Sequence, residues 1–294
     1  MTNDRLDLFA VGLLTLLCIL LGVGQVAMKV ANAGISPILQ AGLRSLLAAV
    51  LVGLWCRFRG ISLRIAPAVI APTLLSALFF TIEFALLYPG LERTTASRAV
   101  IFLYTSPLVV AAGAHFLIAG DRLTWSKSTG LLAALAGISI VLAGRETSGV
   151  SSLAGDLLCL GGGIAWGFLT LTVRATRLAQ EPAQRVIFMQ LLLSGVALSL
   201  ISLALGERGI TDLSPLVLGA FGYTVVFVAF ITFTTSLWLM TRYPASRVMA
   251  FLMITPAFGV AAGVVLLGEP LTIHLGVGLA VVILGLWLVN RPTK

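Results

Sequence analysis

The chain reads as an all-α membrane protein: ten transmembrane helices in two inverted five-helix repeats, with both termini cytoplasmic. Three observations predict this. Of 294 residues, 59% are hydrophobic and only 10% are charged, where a soluble protein carries about 25% charged residues. The apolar residues fall into ten runs, each near the roughly 20 residues that a helix needs to cross the hydrocarbon. The first half of the sequence also recurs, motif by motif, in the second.

The predicted spans are 6–30, 37–56, 67–90, 97–119, 126–144, 153–174, 182–205, 214–239, 246–267 and 274–290. The first is a span rather than a cleaved signal. MTNDRLD carries two acids against one arginine, and the apolar run continues past Ala27 without an A-x-A site. The second span holds Arg44, and the third, in LLSALFFTIEFALLYPG, holds Glu83. A charge at the middle of a membrane helix costs roughly 2.5–3.5 kcal/mol on insertion scales, so both require a partner or a role in the transport path. The fourth and ninth spans carry Pro107 and Pro256, and the sixth carries Trp166. Gly130/Gly137 and Gly278/Gly285 mark the fifth and tenth as close-packing helices, and Gly163/Gly167 and Gly259/Gly263 do the same within the sixth and ninth. The connections are too short to hold a soluble domain.

Lysine and arginine set the orientation. With both ends inside, thirteen fall on the inner side and five (Lys29, Arg93, Arg98, Arg145, Arg208) on the outer, with Arg44 within a span. Trp55, Trp125, Trp238 and Trp287 lie near inner helix ends, as an aromatic belt requires; Trp166 does not. The net charge of +8 comes from scattered loop residues, so it indicates a lipid bilayer rather than nucleic acid as partner. Cys18, Cys56 and Cys159 are odd in number and lack metal spacing, which suits reduced core residues.

The repeat is specific. Gly22, Lys29 and Pro37 recur as Gly167, Arg174 and Pro182, offset by 145 residues. Ala96-Ser97-Arg98 recurs as Ala245-Ser246-Arg247, and FLYTSP ending at Pro107 as FLMITP ending at Pro256, offset by 149. Gly120-Asp121-x-Leu123-Thr124 matches Gly268-Glu269-x-Leu271-Thr272, offset by 148. Two units result, 1–147 and 148–294. With an odd number of spans in each, the second enters the membrane upside down, as in secondary carriers that alternate access around a midplane site.

On these residues the chain resembles the drug/metabolite transporter superfamily, in its ten-helix EamA-type branch. The likeness covers essentially the whole length. It rests on Gly22, Lys29, Ser36-Pro37, Leu43-Arg44 and Leu47-Ala48-Ala49 of the first two helices, the Ala-Ser-Arg…Pro pattern of the fourth and ninth, and the Gly-Glu-x-Leu-Thr turn at 268–272. The Glu83 segment, Tyr104 and Trp166 further resemble an aromatic amino acid exporter of that branch. The resemblance implies export of amino acids or similar metabolites across the inner membrane, through a cavity walled by helices 1–4 and 6–9. One departure bears on aromatic cargo: Ser106 stands where that exporter has a tryptophan before the helix 4 proline.

Depth counting adds a candidate site. At about 1.5 Å rise per residue, Glu83, Arg44, Tyr104 and Gln25 all fall roughly 10 Å below the outer surface. Arg44 and Glu83 admit two readings: a mutual ion pair that hides both charges from lipid, or contacts with substrate. Trp166, Gln190, Met253 and the threonines at 232, 234 and 235 form a second layer nearer the inner side, with Tyr223 a further substrate-binding candidate. The threonines are expected to bond their own backbone. Pro107 and Pro256 are either permanent bends or hinges.

Several classes are excluded. The sequence has no G-x-x-x-x-G-K-[ST] loop, no H-E-x-x-H cluster, and no Ser/His/Asp set at one membrane level. The chain is therefore expected to be no enzyme, to need no cofactor or metal, and to act on a small-molecule substrate, as a monomer rather than a dimer. Nucleotide-sugar, phosphate-ester and drug-cation carriers of the same architecture are the alternatives.

Overall fold

The computed structural model describes residues 6–118, 120–144 and 151–289. The 147/148 boundary lies outside them, as do Arg5, Arg145, Arg291 and Lys294 of the orientation count. The described residues are helical apart from turns and one isolated bridge between Ile35 and Ile210. The helices are α1 (Leu8–Ala31), α2 (Pro37–Phe58), α3 (Pro67–Arg93), α4 (Ala96–Leu117), α5 (Trp125–Ala143), α6 (Leu153–Ala175), α7 (Ala183–Ala204) and α8 (Pro215–Arg242). Then come α9, in two pieces (Ala245–Leu252 and Thr255–Leu267), and α10 (Ile273–Val289). Among the described residues, nine helices are long and apolar enough to cross a membrane, and α10 is an apolar helix of 17 residues. This is a multi-pass membrane protein.

Local chemistry sets the helix ends. Asp7, Thr95, Thr124 and Ser152 cap α1, α4, α5 and α6 by accepting a backbone N–H of the first turn. Pro37 and Pro215 open α2 and α8, where proline's missing donor costs nothing. Two helix ends differ from expectation by three residues: the eighth helix runs to Arg242 rather than 239, and the third also overruns. The third helix does not stop at residue 90 but runs to Arg93 through Pro89. Tertiary contacts hold it: the Tyr88 carbonyl accepts Asn32 Nδ2 at 3.0 Å, and Gly90 lies flush on α6, where a Cβ would come within 2.7 Å of Cys159 Sγ. Glu83 is consequently about 15 Å from the helix end, deeper than the count from residue 90 gave.

Three helices depart from regular α geometry. The α4 helix breaks at Tyr104-Thr105, just before Pro107, and α9 breaks at Met253-Ile254, just before Pro256. In α8 the backbone widens to a π-helix over Thr224–Ile231, a segment rich in β-branched residues that sequence periodicity did not reveal. Thr232 Oγ1 stabilises it by donating to the Phe227 carbonyl at 2.7 Å. Thr234 likewise bonds the carbonyls of Phe230 and Ile231.

Packing follows the small residues. Along α5 and α10, Gly130 meets Gly285 and Gly137 meets Gly278, so closely that a Cβ on Gly137 would stand 2.8 Å from the Gly278 carbonyl. Gly42 and Gly195 bring α2 onto α7, and Gly163 seats α6 against the break of α4. The α4–α9 pair is asymmetric. The first half of α4 packs on the second half of α9, where Gly259 meets Val100. The second half of α4 instead lies on α6, through Gly113 and Leu171, while the first half of α9 joins α1 and α8 in a separate cluster of Leu14, Leu17, Leu239 and Val248. The two broken helices thus meet at one end of the molecule and part at the end where α1 begins.

Gly137→Ala is expected to destabilise the protein by about 1–3 kcal/mol, because the overpacked methyl meets the α10 backbone at Gly278 and Val282. Gly12→Ala, where nothing lies within 4 Å of the added carbon, is expected to cost nothing. Thermal unfolding of the two purified variants in detergent checks the contrast.

Candidate functional site

Two polar groupings lie inside the helical body, and they differ in how well they are satisfied. The first lies among α1, α2 and α3. On α2, Gln40, Arg44 and Ser45 share the buried face with Ala41 and Ala48. On α3, Phe80, Glu83, Phe84, Leu87 and Tyr88 do the same. From α1 come Gln25, buried, and Asn32 just past its end.

Many of these polar atoms have no hydrogen-bond partner within the protein: Gln25 Oε1, Asn32 Oδ1, Gln40 Oε1, two Arg44 guanidinium nitrogens, Ser45 Oγ, Glu83 Oε2 and the Tyr88 hydroxyl. Folded proteins rarely tolerate this, because each such group has lost its water and gained nothing. Arg44 and Glu83 are each only 5% exposed. They lie within electrostatic reach of one another, yet they do not close to an ion pair among the four that the described residues form. The Arg44 guanidinium instead stacks 4.8 Å from the centre of the Phe84 ring. That ring belongs to a ladder one turn apart, Phe80–Phe84–Tyr88. Gln40 Nε2 reaches the Met28 carbonyl at 3.4 Å, tying α2 to α1 one turn beyond Gln25. The group therefore offers cationic donors and anionic or neutral acceptors side by side, with the acceptors turned to no protein partner.

The second grouping is fully satisfied and lies at the end where α4 and α9 meet. Arg98 Nη2 and Nε donate to the two Asp156 oxygens at 2.7 and 3.1 Å, and Thr94 Oγ1 donates to the same carboxylate at 2.6 Å. Lys29 Nζ donates to the Thr94 carbonyl. Glu269 accepts from Ala96 N at 2.6 Å, Ser97 N at 2.9 Å and Ser97 Oγ at 2.6 Å. Arg98, counted on the outer side at the start of the fourth span, is only 5% exposed, because it lies in the first turn of α4 and is turned onto Asp156.

The remaining candidates divide. Tyr104 and Trp166 do meet, edge to face, with ring centres 6.2 Å apart. The Tyr104 hydroxyl, however, donates to the Leu252 carbonyl at 3.0 Å, an acceptor left over at the α9 break, so it braces one broken helix against the other. Pro107 and Pro256 each stand at the start of the second piece of their helix. Gln190 is buried on α7 and is not among the unpartnered groups. Tyr223 lies on α8, stacked on Phe227 with its hydroxyl on the Leu20 carbonyl at 3.0 Å. The residues of this cluster that sequence reasoning missed are Asn32, Gln40, Ser45 and Tyr88. Helical spacing from Arg44 was the available signal for Gln40, four residues away; Tyr88, five residues from Glu83, falls outside such a spacing. Two open clefts of about 730 and 760 Å³ lie apart from this group, around Arg57 and beside Arg174 and Arg177.

A bundle of membrane-length helices around a buried cluster of unpartnered polar groups defines the class: a multi-pass membrane protein whose own side chains do not complete that cluster. The EamA-like transporter family model matches residues 8–143 and again 153–291, and the chain belongs to that family. It is 25% identical to the uncharacterized transporter YvbV of Bacillus subtilis, over 96% of this chain and 92% of that one. It is also 25% identical to the uncharacterized inner membrane transporter YedA of Escherichia coli, over 86% and 81%, and to the WAT1-related protein At3g02690, chloroplastic, of Arabidopsis thaliana, over 92% and 67%. A solved crystal structure superposes with a TM-score of 0.67 over 96% of each chain at 20% identity, which establishes the shared fold.

Asp156→Asn is expected to destabilise the protein by about 3–5 kcal/mol, since it strands the Arg98 charge. The double replacement Arg98→Met/Asp156→Leu is expected to regain most of that loss. Thermal unfolding in detergent, together with membrane yield, distinguishes the two.

Proposed function

We propose that this EamA-family chain is a secondary transporter that exports amino acids, aromatic ones included, or similar small zwitterions across the inner membrane. The observation that carries the proposal is the unpaired state of Arg44 and Glu83, two opposite charges buried close together without bonding each other. A zwitterion completes both at once. Its carboxylate takes the free guanidinium donors, and its ammonium takes Glu83 Oε2 and the neighbouring amide and phenol oxygens. Gln25 of α1 adjoins the same cluster, and Tyr104, Trp166, Gln190 and Tyr223 serve the path beyond it. The outward direction follows the likeness to amino acid exporters of this branch.

In this reading residues 1–147 and 148–294 are inverted halves of one monomeric carrier. Access alternates as α4 and α9 rock at Pro107 and Pro256. The matched breaks before these prolines support that role. Cytoplasmic termini are supported by the cation bias, which sharpens because Lys29 and Arg98 are engaged in the buried network rather than lying free in outer loops. A phosphate-ester cargo is less well served. Of the two buried arginines, Arg98 is consumed by Asp156, which leaves Arg44 as the single uncommitted one among the described residues.

Efflux of a panel of labelled amino acids from reconstituted vesicles tests the proposal. Glu83→Gln and Arg44→Gln are each expected to weaken transport roughly 10- to 100-fold, the equivalent of one charge-assisted hydrogen bond, with folded yield unchanged. Undiminished efflux in both variants would reject the site.

A further inference from the structure

The satisfied network around Glu269 has a counterpart at the opposite end of the molecule, and the two are built from matched parts. Glu269 follows Gly268, which ends α9 with φ 64°, and Asp121 follows Gly120, which has φ 86°. Only glycine enters this left-handed region freely, so both turns depend on it in the same way. Three residues after each acid, Thr124 and Thr272 cap the next helix through their hydroxyls. Each acid also has a basic residue from the matched helix position: Lys29 lies within electrostatic reach of Glu269, and Arg174, its repeat partner, donates to Asp121 at 3.2 Å. The N-terminus of α4 begins Ala96-Ser97-Arg98, and that of α9 begins Ala245-Ser246-Arg247.

What differs is the carboxylate's present use. Glu269 crosses to the start of α4 and takes two backbone N–H groups and the Ser97 hydroxyl, at the positive end of the helix. At that end the halves of α4 and α9 are packed together. Asp121 is held by Lys127 at 2.5 Å and by Arg174, beside halves that have parted. The Lys127 hydrogen bond holds its carboxyl below the usual range.

We propose that Glu269 and Asp121 are reciprocal positioning residues of the transport cycle, each clamping the N-terminus of the other repeat's broken helix when its own end of the carrier is shut. Here Glu269 clamps α4 and that end is closed. In the opposite state Glu269 lets go, the inner halves of α4 and α9 come together, and Asp121 leaves Lys127 and Arg174 for the N-terminus of α9. The inference rests on the alternating-access reading, but not on the identity of the cargo.

The test measures two distances by pulsed electron spin resonance in lipid nanodiscs without substrate, after Cys18, Cys56 and Cys159 are replaced by alanine. Labels at Glu92→Cys and Ile273→Cys report the clamped end. Labels at Phe116→Cys and Met249→Cys report the parted end; all four native side chains are exposed. Glu269→Ala is expected to move the main population to a longer first distance and a shorter second one. Adding Asp121→Asn is expected to undo the shortening. Ser97→Ala, which removes one of the three bonds, is expected to give a smaller shift of the same sign and guards against a misfolded variant. Unchanged distances in Glu269→Ala, or a shortening that survives Asp121→Asn, would overturn the clamp. Because no substrate is present, a shift without any amino acid efflux rejects the proposed cargo alone, and efflux without a shift rejects the clamp alone.

Discussion

The arrangement of this protein depends on how the start of α4 is satisfied. A helix beginning inside a membrane protein presents unpaired N–H groups to a region that supplies little water. Glu269, arriving from the α9–α10 turn, meets two of them, and Thr95 meets another. Arg98 in the same first turn is locked to Asp156 of α6. One short stretch of α4 is thereby fastened to α9 and α6 by charge-assisted bonds, which are worth roughly twice a neutral hydrogen bond. The depth of everything downstream on α4 follows from that anchor, including the break that puts Tyr104 against Leu252 and Trp166.

The buried polar cluster obeys the opposite rule. Where the anchor leaves no polar atom unmatched, α1, α2 and α3 keep a guanidinium, a carboxylate, a phenol and several amide oxygens out of water without pairing them. Two charges of opposite sign held near each other would ordinarily close on one another. They are kept apart because Arg44 leans on the Phe84 face while Glu83 projects from the adjoining position of the same helix. On the proposed reading, such a cluster suits a guest that carries both charges and can leave again, since neither side chain has collapsed onto the other.

Backbone irregularity is concentrated in the helices that line the parting end. The paired breaks in α4 and α9, and the π segment of α8, each interrupt the i to i−4 ladder and free carbonyls inside the bundle. Hydroxyls take up several of these: Thr105 on Phe102, Thr255 and Tyr104 on Leu252, and Thr232 on Phe227. Such bonds are local and easily exchanged. The glycine-lined α5–α10 and α2–α7 contacts, by contrast, rest on backbone against backbone and resist sliding.

Much of this was legible in the chain by itself. Hydropathy gave the helices and nearly all their ends, the matched Gly-acid-x-Leu-Thr turns fall one in each of the two stretches that the family model matches, and intramembrane charge drew attention to Arg44 and Glu83, because apolar runs and lone charges are properties of composition along a line. The continuation of α3 past Pro89, the π segment, the burial of Arg98 and the use of Tyr104 as a brace were not legible. Each depends on a residue some 50 or more positions away or on a carbonyl left over by a break, and no one-dimensional pattern records which partner arrives. Tertiary structure alone decided which polar groups were matched and which were left open, since a hydrogen bond is satisfied in space and not in sequence.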